Sequence, residues 1–190
     1  MARKTSLREF QQNFALRLRD LSSRKTVASK LGFQVGMDNC FVTLSDVSEV
    51  IPVPVFVTVP QTHSWFRGVS NVRGKLYSTV DFASFQGAAA TTPSMERRVI
   101  LIHEKLIEGA GLLVNRMLGL RNPETFVFDS GQDPDRPWIK ARYRDPNAAV
   151  WLELDLSVLA GDARFLEVGV MSIGHAGNTA TASAASAVLS

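Results

Sequence analysis

The chain has 190 residues, of which 45% are hydrophobic, with a net charge of +3 and one cysteine, enough to bury one substantial core. No apolar run reaches the roughly 18 to 20 residues of a membrane-spanning helix, and the Met1 end lacks the apolar stretch of a secretory signal, so neither membrane insertion nor export is expected. The lone Cys40 excludes an internal disulfide or a thiolate metal cage, suits a reducing compartment, and reads as a small core residue.

The charge is uneven. Residues 1–30 hold eight Lys or Arg against Glu9 and Asp20, net +6, leaving the remainder at −3. A mildly acidic body is a poor phosphate-binding surface, so no nucleic-acid partner is expected. The alternative is an SH3-like or oligonucleotide-binding barrel that holds RNA or DNA through its basic N-terminal helix.

In chain order, Leu7, Phe10, Phe14, Leu18 and Leu21 recur at helical spacing, which predicts a basic amphipathic helix over Ser6–Ser22 within residues 1–29. Ser6 and Glu9 have the capping-box spacing. Arg-rich and acid-poor, the stretch also resembles a transit peptide, but a capped helix leading into a domain fits a docking element better. From residue 30 to 172 the texture is short β-rich runs broken by Gly, Pro, Asn and Asp. Strands are predicted near Leu31–Val35, Cys40–Leu44, Val53–Val59, Gly68–Val72, Lys75–Val80, Arg98–His103, Gly111–Val114, Thr125–Phe128, Ile139–Tyr143 and Ala149–Leu154. Met37–Asn39 and Arg73-Gly74 read as hairpin turns, and short helical pieces are predicted at Asp46–Val50 and Asp81–Phe85. Gly87–Ser94, small and polar, reads as an exposed loop marking a boundary between two lobes. Residues 173–190 are too rich in Ala, Ser, Gly and Thr to offset ordering entropy and form an expected disordered tail.

Catalytic constellations fail on inspection. Gly68-Val69-Ser70 begins a nucleophile elbow but lacks its closing glycine, and Gly74-Lys75 is followed by Leu76 where a phosphate loop needs Ser or Thr. Gly109-Ala110-Gly111 starts like a dinucleotide fingerprint, yet Val114 takes the third glycine position. Asp129, Asp133 and Asp135 hint at calcium, but Lys140 replaces the completing acid. His63, His103 and His175 are scattered, so zinc has no support. Asp46, Glu49 and Asp81 could serve an enzyme together with His103, although each sits where a cap or ion pair is the commoner role.

The densest stretch is Trp65-Phe66-Arg67-Gly68-Val69-Ser70-Asn71-Val72-Arg73-Gly74-Lys75-Leu76-Tyr77-Ser78-Thr79-Val80-Asp81-Phe82. Its Gly-hydrophobic-x-Asn-hydrophobic-Arg-Gly run, followed seven residues later by Asp-hydrophobic, closely resembles the signature of the CheW family of chemotaxis coupling proteins. Phe33 and Val35, Val47 to Ile51, Gly111 to Val114 before Met117, and Leu154-Asp155-Leu156 occur in the family's order. The resemblance implies two packed five-stranded SH3-like barrels in a mainly β fold, with no cofactor, no metal and no catalysis. It implies a cytoplasmic adaptor that bridges a methyl-accepting chemoreceptor and a CheA-like histidine kinase. Ser64-Trp65-Phe66-Arg67-Gly68, the extended N-terminus and Phe165-Leu166-Glu167-Val168-Gly169-Val170 look like PilI-type members, which serve type IV pilus twitching-motility signalling.

The partner-facing set implied is Val47, Glu49, Val50, Ile51, Asn71, Arg73, Gly74 and Asn115. Arg73 either meets a partner or pairs internally with Glu49, or both, since a carboxylate and a guanidinium can pair as a bidentate fork. Asn71 either ties the turn or contacts a partner. Val47, Val50 and Ile51 either line an apolar groove for a receptor helix tip or belong to the core. Trp65 and Phe66 read as interface anchors or, more commonly, barrel plugs; Trp151 and Leu154 read as core. Ser78, Thr79 and Asn115 depart from a common proline, aliphatic residue and aspartate of the family, and the last gives up a charge a partner could pair with.

Overall fold

This computed structural model describes residues 30–170. The expected N-terminal helix and the tail from 173 lie outside the described residues. Strands form in the order β1 (Lys30–Val35), β2 (Asp38–Thr43), β3 (Val47–Pro52), β4 (Phe66–Val72), β5 (Lys75–Asp81), β6 (Arg98–Ile102), β7 (Ala110–Val114), β8 (Arg116–Arg121), β9 (Val127–Ser130), β10 (Ile139–Arg144) and β11 (Val150–Leu154). Three short helices, α1 (Phe82–Phe85), α2 (Leu156–Ala160) and α3 (Ala163–Leu166), each open on an aspartate, Asp81, Asp155 and Asp162, whose carboxylate accepts from a first-turn backbone N–H.

The first sheet runs β8-β1-β2-β11-β10-β9 and the second β3-β6-β7-β5-β4. Six and five strands thus replace the expected five and five. The extra strand is β8, whose Arg-Met-Leu-Gly-Leu-Arg run carries no β-branched residue and gave no strand signal. Residues 47–114 make the second sheet, while the first is assembled from strands on either side of it, through a parallel pairing of β11 with β2. The Gly87–Ser94 loop therefore joins two strands of one sheet. The sheet changes occur at the 3-10 turn Leu44–Asp46 and at Asn115.

Three further expectations are corrected. The predicted helix at Asp46–Val50 is mostly β3: Val47, Val50 and Ile51 are β-branched, and Pro52 is tolerated on an edge strand but not inside a helix. The predicted strand at Val53–Val59 is an extended segment that makes one isolated backbone pair, at Val57 with Val69, because Pro52, Pro54 and Pro60 remove ladder donors. The strand expected at Thr125–Phe128 starts two residues later, after a 3-10 turn at Pro123–Thr125.

Both sheets bury both faces. Between them lies the main core, where Phe33, Val42, Phe82, Ile100, Leu112, Val114, Leu152 and Leu156 pack together, each side chain stabilising by roughly 1.5–3 kcal/mol. The other face of the second sheet holds Ile51, Val99, Leu101 and Leu113, covered by Val53, Phe56, Val72 and Tyr77. The other face of the first sheet is aromatic. Phe41 meets Phe126, Tyr143 and Trp151 at 5.5, 5.6 and 6.1 Å, and Arg121 lies 4.8 Å from the Trp151 ring centre. Beside it lies a partly buried polar cluster: the Lys30 ammonium donates to Glu153 at 2.8 Å and to Thr43 at 2.9 Å, and the Tyr143 hydroxyl donates to Glu153 at 3.0 Å.

Candidate functional site

β4 and β5 form a hairpin whose last pair is Val72 with Lys75, leaving a two-residue turn of Arg73 and Gly74. Both have positive φ, 52° and 86°, the backbone of a type I′ turn. Gly74 meets this without penalty; Arg73 does so against the preference of an L-residue. Asn71 closes the turn by accepting from the Gly74 N–H at 2.8 Å.

Arg73 is presented by this turn and held from outside it. Its Nη1 and Nη2 donate to Glu49 Oε2 and Oε1 at 2.9 and 2.8 Å, a bidentate fork. Glu49 lies on β3 and Arg73 at the end of β4, the two edge strands of the second sheet. The pair therefore bridges the seam between those edges. A second link crosses the same seam, where Val57 and Val69 exchange backbone bonds at 2.8 and 2.9 Å. Gly68 permits it: its φ is 117°, and a Cβ there would collide with the Val57 carbonyl oxygen. The Arg73 side chain is 79% exposed and that of Glu49 34%.

Around the seam lie features that sequence reading missed. Val55, Val57 and Leu76 are exposed apolar residues, and Lys75 pairs with Glu104 at 3.0 Å while Lys105 pairs with Asp46 at 2.9 Å. The hydrogen bond and charge of Lys75 hold the Glu104 carboxyl below the ordinary glutamate range, and Glu104 in turn raises Lys75. The alternation of valines with prolines after Ile51 was the available signal for the exposed stripe.

The remaining candidates separate. On β3, Val47 and Val50 pack against the main core, whereas Ile51 is buried on the opposite face with the smaller cluster. Strand alternation places the three on two faces, so they do not line one groove. Asn115 lies at the far end of the second sheet from Arg73, where its Oδ1 accepts from the Gly36 N–H at 2.7 Å and its N–H donates to Gln34 at 2.9 Å. Phe66, Trp151 and Leu154 are core, and Trp65 is half-buried against it.

The carboxylates weighed for catalysis are otherwise engaged. Asp46 and Glu49 are in ion pairs, and the buried Asp81 caps α1 and accepts twice from Thr91, at 2.8 and 2.9 Å. Among the described residues no group of three or more His, Cys, Asp and Glu side chains is placed to hold a metal ion, and no helix is long and apolar enough to cross a membrane.

Against known families, a model of the CheW-like domain matches residues 30–164. The chain belongs to the CheW-like domain family. Within it, the chain is 29% identical over 146 residues to Protein PilI of Pseudomonas aeruginosa, an alignment covering 75% of this chain and 80% of that protein. Its fold is similar to the crystal structure of the scaffolding protein TtCheW from Thermoanaerobacter tengcongensis, with a TM-score of 0.59 at 17% identity over 68% of this chain and 90% of the other. A CheW-like fold, mostly β in two sheets with a few short helices, is thus common to both, and the Glu49–Arg73 seam lies inside the matched region.

Proposed function

We propose that this chain is a non-enzymatic adaptor that couples a methyl-accepting chemoreceptor to a CheA-like histidine kinase, in a chemotaxis-type system controlling type IV pilus twitching motility. The observation that carries this is Arg73, a long cation kept at a left-handed turn position and held outward by Glu49. An exposed ion pair adds only about 0.2–1 kcal/mol, and the backbone conformation opposes roughly 1–2 kcal/mol. Stability alone gives no reason for arginine there, and strained residues of this kind cluster at working surfaces. Membership of the CheW-like family and the similarity to PilI support the signalling assignment.

The partner-facing surface is then the seam itself: Glu49, Asn71, Arg73 and Gly74, with Val57 and Leu76 as apolar neighbours. Val47, Val50 and Ile51 support it from beneath. Each sheet is read as an SH3-like barrel. In the second, the links across β3 and β4 join the sheet's edges; in the first, Arg121 at the end of β8 and Phe126 before β9 meet over Trp151. Such an adaptor works in the cytoplasm and needs no cofactor.

The test is co-purification of the tagged chain from its own cells, with Arg73→Ala as the comparison. Recovery of a CheA-like kinase and a receptor, with the receptor weakened by the substitution, supports the adaptor and its surface. Recovery of neither, with nucleic acid or a metabolite bound instead, refutes it.

A further inference from the structure

At the end of β4 away from the Arg73 turn, the loop before the strand and helix α3 border a cleft of about 250 Å³ lined by His63, Trp65, Phe85, Arg164 and Glu167. Small-molecule sites occupy roughly 300–1,000 Å³, so this one suits a single inserted side chain. Backbone bonds fix its rim: the His63 N–H donates to Val168 at 2.9 Å and the Val170 N–H to Gln61 at 2.8 Å, strapping the loop to the chain leaving α3. The wall is aromatic. His63 and Trp65 stack with ring centres 5.1 Å apart and planes 12° from parallel, and Phe85 meets Trp65 edge-on at 5.3 Å. Behind them Phe85 rests on Trp138 and Phe165, so the wall is backed by the core.

The two charges at the cleft differ in what they have left to offer. Arg164 is held by Asp162 at 3.0 and 3.3 Å and lies over the Trp138 ring, 5.0 Å from its centre, so its guanidinium is already paired and stacked. Glu167 is exposed and, among the described residues, has no ion pair or side-chain hydrogen bond. What remains is a carboxylate beside a stacked aromatic wall, which selects a cation: the ring face attracts it and the carboxylate neutralises it. A guanidinium suits the wall better than an ammonium, because its planar group can stack on an indole face, and Arg164 already places its guanidinium over the Trp138 ring.

We propose that this cleft is an anchor site for an arginine side chain of a partner protein, separate from the seam at Arg73 and independent of the adaptor assignment. The charge complementarity is local to Glu167 and Trp65.

The probe is N-acetyl-arginine amide, titrated into the full chain and followed by NMR on the indole N–H signals. Saturable shifts at Trp65 and Trp138, with Trp151 unmoved and a millimolar dissociation constant, are expected; the neutral citrulline analogue should give none. Glu167→Gln should weaken binding at least about fivefold with an unchanged folded spectrum, and Trp65→Leu should abolish it. Equal shifts with citrulline, shifts reaching Trp151, or an unaltered titration of Glu167→Gln would overturn the proposal. If the probe binds only after the arginines of residues 1–29 are replaced by glutamine, the chain's own basic stretch fills the cleft and the assignment to a partner is overturned.

Discussion

Arg73→Asn removes the guanidinium while placing at the turn a residue that tolerates positive φ, so it isolates the work of the side chain from that of the backbone. Lost with the arginine is an ion pair with side chains 79% and 34% exposed, contributing at most about 1 kcal/mol. Gained is relief of a left-handed conformation that opposes an ordinary L-residue by roughly 1–2 kcal/mol. The two nearly offset, and Arg73→Asn should change the unfolding free energy by less than about 1 kcal/mol, as should Arg73→Gly. Arg73→Ala keeps the strain and loses the pair, and should cost about 1 kcal/mol. Urea denaturation at low and high salt measures these differences, the ion-pair part shrinking with salt. Binding to a receptor cytoplasmic fragment should fall about tenfold or more in all three variants, since a central arginine anchor is commonly a large contributor. A loss of more than about 2 kcal/mol of stability in Arg73→Asn with receptor affinity intact would refute the reasoning and leave the pair a purely structural clamp.

Glu153 and Lys30 have side chains only 7% and 12% exposed, so Glu153→Gln should cost roughly 3 kcal/mol at pH 7 in chemical denaturation, while Lys30→Met with Glu153→Leu should recover much of it. Burial opposes the Glu153 charge, but Lys30, Tyr143 and Lys140 more than offset it and hold the carboxyl below the ordinary range. Because the folded pKa is depressed, this stability is full above about pH 5 and is lost as pH falls through and below about 4; Glu153→Gln should flatten that part of the acid limb. Gly68→Ala should cost roughly 1–3 kcal/mol from backbone conformation alone and speed hydrogen exchange at the Val57 amide, and an unchanged Val57 rate would refute the seam. Cys40 is fully buried, which pushes its thiol far above the ordinary range, so iodoacetamide at pH 8 should label it only in urea; rapid labelling of the native chain would contradict the packing.

The hairpin at Arg73-Gly74 and the strands on either side of it were legible in the sequence because turn chemistry is local: Gly74 and Asn71 announce it within four residues. Asp81 and its short helix were legible for the same reason. What escaped depends on distant partners. β8 is a strand because β1 offers an edge, from Lys30 opposite Arg121 to Gln34 opposite Arg116, and nothing within residues 116–121 says so. That Val47 and Val50, three residues apart, share the main-core face follows from a register irregularity near Ser48 in the pairing with β6, about fifty residues away, whereas Ile51 turns to the other face by plain alternation. Within the candidate site, the Glu49–Arg73 pair was foreseeable as a pairing of charges, but its position across the seam of a sheet was not, since that needs the strand order.

Asn115 shows how the two sheets are held as one body. It stands where the chain passes from β7 to β8, and it ties that crossing to the β1–β2 turn through both its backbone N–H and its side-chain oxygen. An aspartate at this position would supply the same acceptor to the Gly36 N–H, so asparagine keeps the geometry and gives up only a charge. The main core is likewise shared, with Phe33 and Leu152 from one sheet packing against Ile100 and Leu112 from the other. An adaptor that acts by geometry needs a fixed spacing between its surfaces, and here β4 alone spans from the Trp65 cleft to the Arg73 turn, with Phe66 and Val69 on the common core and Val72 on the smaller cluster. In the adaptor we propose, a partner seated at one end would meet a surface whose position relative to the other end is set by packing.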